Sequence, residues 1–218
     1  MAEVTLYIGN KNYSSWSLRG WLMLKESGLA FDEVLIPLDQ PNTKTELLRL
    51  SPSGRVPALK HGDLTVWDSL AIGEYLAEIC PDKQLWPADP AARAVARSIS
   101  AEMHSGFTPL REHFPMNLRS SFPNRGVTPE VQSDINRITS LWREQRRKLA
   151  PEAGPFLFGH FTVTDAMFAP VVSRFRTYRI DLDEMCQAYA DALWAMPSYK
   201  AWQEASGHEP MIIESAEF

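Results

Sequence analysis

The chain has 218 residues, 44% of them hydrophobic, enough to bury a substantial core as one large domain or two modest ones. Its 22 basic and 27 acidic residues leave a net charge of −5, with no long Lys/Arg block. That balance argues against nucleic acid as a partner, because neutralising phosphates calls for a basic face.

Near the N-terminus Glu3 is acidic where a secretory leader would be basic, and no apolar run approaches the ~20 residues of a membrane span. The expectation is a cytoplasmic protein with no membrane partner. Cys80 and Cys186 are far apart and form no metal or redox spacing, so they read as two buried thiols in a reducing compartment, with no metal site.

In chain order, Val4 to Ile8 reads as a strand and Gly9-Asn10 as a turn. Leu18, Trp21, Leu22 and Leu24 then recur at helical spacing up to Gly28, a residue suited to a left-handed C-terminal cap. A second strand covers Phe31 to Ile36, and a short helix covers Thr43 to Leu50. Val56 to Lys60 and Leu64 to Trp67 flank a His61-Gly62-Asp63 turn, the pattern of a hairpin. A helix follows from Asp68 to Ile79. The order is βαβ, a short helix, then ββα, with a right-handed crossover in the parallel half.

Residues 81–90 hold Pro81, Pro87 and Pro90 and read as a linker. Beyond them the pattern is helical throughout. One helix or a kinked pair runs from Ala91 to about Leu118, bent near Pro109 and Pro115. Thr128-Pro129 opens another that reaches Leu149, and Thr164 to Tyr178, Asp183 to Trp194 and Ser198 to Ser206 complete an all-helical second half.

Three local features carry chemistry. Tyr13-Ser14-Ser15-Trp16-Ser17-Leu18-Arg19 sits between the first strand and helix, where hydroxyls cap a helix and its N–H groups favour an anion. Taken alone, the stretch reads as an N-cap with extra serines. Arg55-Val56-Pro57 opens the hairpin; a cis bond there would turn the Val56 backbone outward to pair with an extended peptide. Asp68-Ser69 begins the third helix, where it reads equally as an N-cap and as a receptor for a ligand's carboxylate and amino groups.

Together, Ser51-Pro52-Ser53-Gly54-Arg55-Val56-Pro57-Ala58-Leu59 and Asp68-Ser69-Leu70-Ala71-Ile72-Gly73-Glu74-Tyr75-Leu76 resemble the cytosolic glutathione transferase family along essentially the whole chain. Ser14-Ser15-Trp16-Ser17 is similar to the Ser-Ser-Cys-x stretch of its zeta class, with Trp16 in the cysteine position. The resemblance implies an α/β thioredoxin-like N-terminal domain (βαβαββα, residues 1–80), the linker at 81–90 and an all-α C-terminal helical domain (91–218). It implies glutathione as co-substrate, a cis Pro57, Val56 pairing with the cysteinyl part, Arg55 in the same site, and Asp68 and Ser69 at the γ-glutamyl end. It also implies a homodimer.

By the same match Ser14 is the hydroxyl that stabilises the glutathione thiolate, with Ser15 as runner-up; a free thiol with pKa near ~8.5 is mostly protonated at neutral pH. Tyr7 is set aside because it lies inside the first strand. Arg19 reads as a helix-surface residue or an interdomain salt bridge. Phe161-Thr162-Val163-Thr164-Asp165 resembles the family's buried capping box. Met103, His104, Phe107 and Arg111 recur at helical spacing and are expected to line the electrophile pocket, although Met103 and Phe107 serve equally as core.

Zeta resemblance implies maleylacetoacetate isomerisation as an alternative to general conjugation. Against that, Thr177 stands where the class would carry an arginine for a substrate carboxylate, with Arg174 and Arg176 on either side. Two other functions remain open: a non-enzymatic binding or regulatory module of the same fold, and a thiol-disulfide enzyme, which would need a cysteine where Ser14 and Ser15 stand.

Overall fold

The computed structural model describes residues 3–123 and 125–217. Strands β1 (Val4–Ile8), β2 (Phe31–Leu35), β3 (Ala58–His61) and β4 (Leu64–Val66) form one sheet in the order β2-β1-β3-β4. β1 runs parallel to β2, with Tyr7 opposite Val34, and antiparallel to β3, with Leu6 opposite Leu59. The crossover between β1 and β2 is helix α1 (Ser15–Ser27), and α2 (Thr43–Leu50) links β2 to β3. Helix α3 (Ser69–Ile79) follows the hairpin and packs on α1.

The second half is helical: α4 (Pro90–Ser105), α5 (Thr108–His113), α6 (Pro129–Arg147), α7 (Val163–Thr177), α8 (Glu184–Trp194) and α9 (Pro197–Gly207). Helix α7 is its axis. Pressed between α1, α4 and α8, it is buried along almost its whole length, and Trp142 of α6 meets Phe168 and Phe175 of α7 and Tyr189 of α8. The α7 N-terminus carries the expected capping box. The Thr162 N–H and hydroxyl donate to Asp165 Oδ2 at 2.8 and 2.9 Å, while the Leu157 N–H donates to Asp165 Oδ1 at 3.2 Å.

Because α1 contacts α3 on one side and α7 and α9 on the other, it has little solvent face. Its ends are set locally, by the Ser14 cap and by Gly28, whose φ of 75° is left-handed and whose N–H returns to Lys25 O. Gly20, in the middle of α1, is a close-approach glycine. A Cβ there would stand 2.9 Å from Pro57 Cγ and 3.0 Å from Pro57 Cβ. The missing side chain lets α1 lie directly on the turn before β3.

Several expectations need correcting. Val56 lies outside the hairpin, because β3 starts at Ala58, and Trp67 lies beyond β4. Of the two alternatives for Ala91 to about Leu118, one helix or a kinked pair, the pair is found, and residues 114–118 are irregular. The break falls at Gly106-Phe107, earlier than Pro109. Phe107 is left-handed (φ 59°), and Pro109 has no N–H to continue the ladder. Cys80 is partly exposed, whereas Cys186 is buried, as expected of both.

Candidate active site

A cleft of about 430 Å³ opens where α1, the β3 approach, the start of α3 and the end of α4 converge. Trp16, Ser53, Arg55, Val56, Pro57, Trp67, Asp68 and His104 line it. Three of the sequence motifs thus meet in one place.

The Val56–Pro57 peptide is cis, and Val56 makes no backbone hydrogen bond to the rest of the described chain. An unpaired backbone segment of this kind can hydrogen-bond to an extended peptide. Arg55 is exposed beside it, its N–H held by Ser53 Oγ at 3.2 Å.

At the head of α3 the two carboxylate oxygens of Asp68 do different work. Oδ1 accepts from Leu70 N and Ala71 N at 3.0 and 3.4 Å and caps the helix, while Oδ2 meets His104 Nε2 at 2.6 Å. Ser69 is fully buried, and its Oγ has no hydrogen-bond partner among the described residues. An orphaned buried hydroxyl at a helix N-terminus fits a ligand carboxylate, which would satisfy it.

Ser14 and Ser15, at 6% and 7% exposure, sit at the N-terminus of α1 and are not among the cleft's lining residues; Trp16 takes that place. Ser14 Oγ accepts from Ser17 N at 3.3 Å and donates to Ser17 Oγ at 2.7 Å, which in turn accepts from Gly9 N at 2.9 Å. The cap fixes the Ser14 oxygen but not its proton, which can rotate about the Cβ–Oγ bond. Ser15 Oγ has no hydrogen-bond partner among the described residues.

The loop before these serines is clamped from the far end of the chain. Glu209 accepts from the Lys11 and Asn12 N–H groups at 2.8 and 3.2 Å, and the Tyr13 hydroxyl donates to Glu217 at 2.6 Å.

Of the residues expected to line the electrophile pocket, only His104 reaches the cleft. Met103 is fully buried and Phe107 is 8% exposed, both within the core. Arg111 turns back on the end of α4. Its Nε donates to Gly106 O at 2.9 Å and its Nη2 to Met103 O, supplying donors to carbonyls left without partners where the helix stops. Arg174 is buried and donates to Phe114 O at 2.7 Å, Thr177 donates to Asn117 O at 2.7 Å, and Arg176 pairs with Asp191. None of these three lines the cleft. Tyr7 is held in β1 between Val34 and Ala58.

Trp16 is the cleft-lining residue whose signal in the sequence was slight. Its indole receives the Arg19 guanidinium at 4.4 Å and that of Arg111 at 5.0 Å, and meets the His104 ring edge-on at 5.2 Å. Its only signal was its position directly after the two serines. Arg19 is neither a surface residue nor part of a salt bridge. It is completely buried, and none of its three guanidinium nitrogens has a hydrogen-bond partner among the described residues. Burial, and then the neighbouring Arg111 and Arg174, push its pKa well down, with Asp68 opposing.

Neither cysteine stands at α1. Burial pushes the Cys186 thiol up to about 12 and raises Cys80, which makes both poor nucleophiles. Among the described residues no helix is long and apolar enough to cross a membrane, and no group of three or more His, Cys, Asp or Glu side chains is placed to hold a metal ion.

Comparison with known proteins agrees with this geometry. Residues 13–79 match the family model for the glutathione S-transferase N-terminal domain. Maleylacetoacetate isomerase from Mus musculus is 33% identical over 181 residues, covering 81% of this chain and 80% of that protein, and the Rattus norvegicus protein of the same name is 32% identical over the same span. Among solved structures, a Burkholderia glutathione transferase homologue with bound glutathione superposes with a TM-score of 0.70 at 26% identity, covering 94% of this chain and 98% of that one. A theta class glutathione S-transferase from Xanthomonas axonopodis pv. citri, also with glutathione bound, gives 0.68 at 25% identity and covers 92% and 97%. The chain belongs to the glutathione S-transferase family, on the side of it that holds the zeta-class maleylacetoacetate isomerases.

Proposed function

We propose that this protein binds glutathione in the α1–α3–α4 cleft and adds its thiolate to a small electrophile. The observation that carries the reading is the meeting, in one cleft, of an unpaired Val56 backbone beside cis-Pro57 with the Asp68-Ser69 helix start. Val56 pairs with the cysteinyl unit as an added strand. Asp68 takes the γ-glutamyl ammonium and Ser69 the γ-glutamyl carboxylate, while Arg55 is a cation within reach of the tripeptide's other carboxylate.

That placement brings the sulfur toward the N-terminus of α1. Ser14 turns its proton from Ser17 Oγ to the sulfur while its oxygen stays in the cap, and Ser15 is the second donor. A hydroxyl donor and the positive helix end both favour the anionic sulfur without adding a base. The electrophile meets the sulfur from the His104 and Trp16 side, and Met103, Phe107 and Arg111 shape that wall from behind.

A second reading is glutathione-dependent cis-trans isomerisation of maleylacetoacetate, favoured by the 33% identity to the mouse isomerase. In it the thiolate adds to a double bond, the adduct rotates, and the thiolate leaves. The Thr162–Asp165 capping box belongs to folding. Division at residues 81–90, a cytoplasmic location and a homodimer complete the proposal.

A turnover screen with glutathione against maleylacetoacetate, aryl halides and peroxides tests it. Conversion of an aryl halide supports conjugation, reduction of a peroxide supports activation of the thiolate, and conversion of maleylacetoacetate alone favours the isomerase. A protein that neither converts any of them nor binds immobilised glutathione is instead a binding module, and the reading is wrong.

A further inference from the structure

Arg19 is the one arginine whose whole guanidinium is found both buried and without a hydrogen-bond partner among the described residues. Leaving a buried charge uncompensated costs several kcal/mol or more, so proteins normally pair it or use it. Three observations place this charge beside the cleft. Arg19 lies four residues after Ser15 on α1, on the same helix face, and helical side chains lean toward the N-terminus, here toward the serines. Its guanidinium stacks at 4.4 Å on Trp16, whose indole lines the cleft. The charged groups that act on it are Arg111 of α5 and Arg174 of α7, both cationic, against the single carboxylate of Asp68 at the cleft rim. The surroundings of Arg19 therefore hold more positive than negative charge, and an anion is what they lack.

Resting on the glutathione-binding reading above, we infer that the counter-charge of Arg19 is the sulfur of bound glutathione, and that Arg19 acts through Trp16 as an electrostatic positioning residue that favours thiolate over thiol. When glutathione binds, its S–H proton leaves to solvent and the electron pair stays on sulfur. The new negative charge lies one indole away from a cation that water does not screen, where a Coulomb interaction is several times stronger than at the surface. The serine hydroxyl supplies a hydrogen bond; Arg19 supplies the field.

The role separates from a structural one because the two predict opposite effects on stability. Replacing an unpaired buried charge by an apolar side chain of similar length is expected to leave the fold as stable or more so. Arg19→Met and the neutral, polar Arg19→Gln are compared with Arg19→Lys, which keeps a charge. Glutathione affinity is measured by calorimetry, the thiol's titration in the complex by thiolate ultraviolet absorbance, and stability by denaturant unfolding.

The expected result is glutathione affinity within a few-fold in all three. The thiol midpoint should rise by at least about one pH unit in both neutral variants, a tenfold fall in the thiolate-to-thiol ratio at a given pH, with most of it restored by lysine. An unchanged midpoint in a neutral variant that still binds glutathione overturns the inference and leaves the binding reading intact. Failure of both neutral variants to fold overturns it too, since the charge would then be structural. If the unaltered protein binds no glutathione, the binding reading falls first and this inference with it.

Discussion

His104 Nε2 of α4 lies 2.6 Å from Asp68 Oδ2 at the head of α3, so a single contact joins the sheet half to the helical half across the cleft. The other oxygen of Asp68 caps α3. One side chain thus both shapes the helix and presents charge, and the two tasks can be separated by mutation. Asp68→Asn keeps an oxygen for the cap and loses the charge. It is expected to weaken glutathione binding about tenfold, the scale of one lost charged hydrogen bond, with little change in unfolding free energy. Asp68→Ala should weaken binding equally and also cost ~1 kcal/mol of stability through the lost cap. Calorimetry with denaturant unfolding reads both. Equal dissociation constants in all three proteins would remove Asp68 from the site.

Ser14 and Ser15 divide in the same way. Ser14→Ala removes both a cap and the proposed thiol donor. Turnover should drop about a hundredfold, as for loss of one donor to a developing anion, with ~1 kcal/mol of stability lost and glutathione affinity within a few-fold. Ser15→Ala gives up no cap bond and should lower turnover by less. Steady-state kinetics on both variants check this, and the reverse order would make Ser15 the donor.

The sheet half was legible in the sequence because its signals are local. Alternation, a glycine C-cap and a two-strand turn placed β1, β2, α1, α2 and α3 within a few residues of their observed limits. The helical half was legible in number but not in its break, since nothing nearby marks Phe107 for a left-handed conformation. Arg19 was misjudged for a different reason. On one helix an arginine reads as surface, and only the simultaneous packing of α3, α7 and α9 around α1 removes that surface. Met103 could not be told from a pocket residue by spacing alone, because the face of α4 that meets the cleft and the face that meets α7 are one residue apart at His104. The cis Trp67–Asp68 bond left no trace, as a non-proline cis bond has no sequence signal.

Gly20 links the α1 helix to the turn before β3. Gly20→Ala would gain about 1 kcal/mol in helix propensity, yet its Cβ would press on the Pro57 ring at 2.9 to 3.0 Å. Overpacking of that kind costs about 1–3 kcal/mol and displaces one of the two partners. The variant is therefore expected to be no more stable than the parent and to bind glutathione several-fold more weakly, because Val56 moves with Pro57. Unchanged affinity, again by calorimetry, would mean that α1 absorbs the strain instead.

Asp165 gives a pH signature for the helical half. Burial raises its pKa to about 6, even though the N–H groups of Leu157 and Thr162 and the Thr162 hydroxyl pull it down. An unfolded aspartate titrates near ~3.9. Between these values the folded state holds the proton more tightly than the unfolded state, so Asp165's contribution to stability falls as pH rises through that window and is level above about 6. Other carboxylates slope the opposite way: Asp183, opposed by burial but held down by the Cys186 N–H and Arg143, and Glu217, held down chiefly by Tyr13 and Asn117. Whole-protein stability therefore mixes the two signs, and a difference measurement isolates one group. Asp165→Asn cannot ionise and keeps an acceptor for the Thr162 N–H. It should be less stable than the parent at pH 4, with the gap narrowing by about 2–3 kcal/mol by pH 7, as one pKa unit is worth ~1.4 kcal/mol. Urea unfolding of both proteins at each pH measures the gap. A gap that stays constant or widens with pH would show that Asp165 is ionised throughout, with the capping box outweighing the burial of its charge.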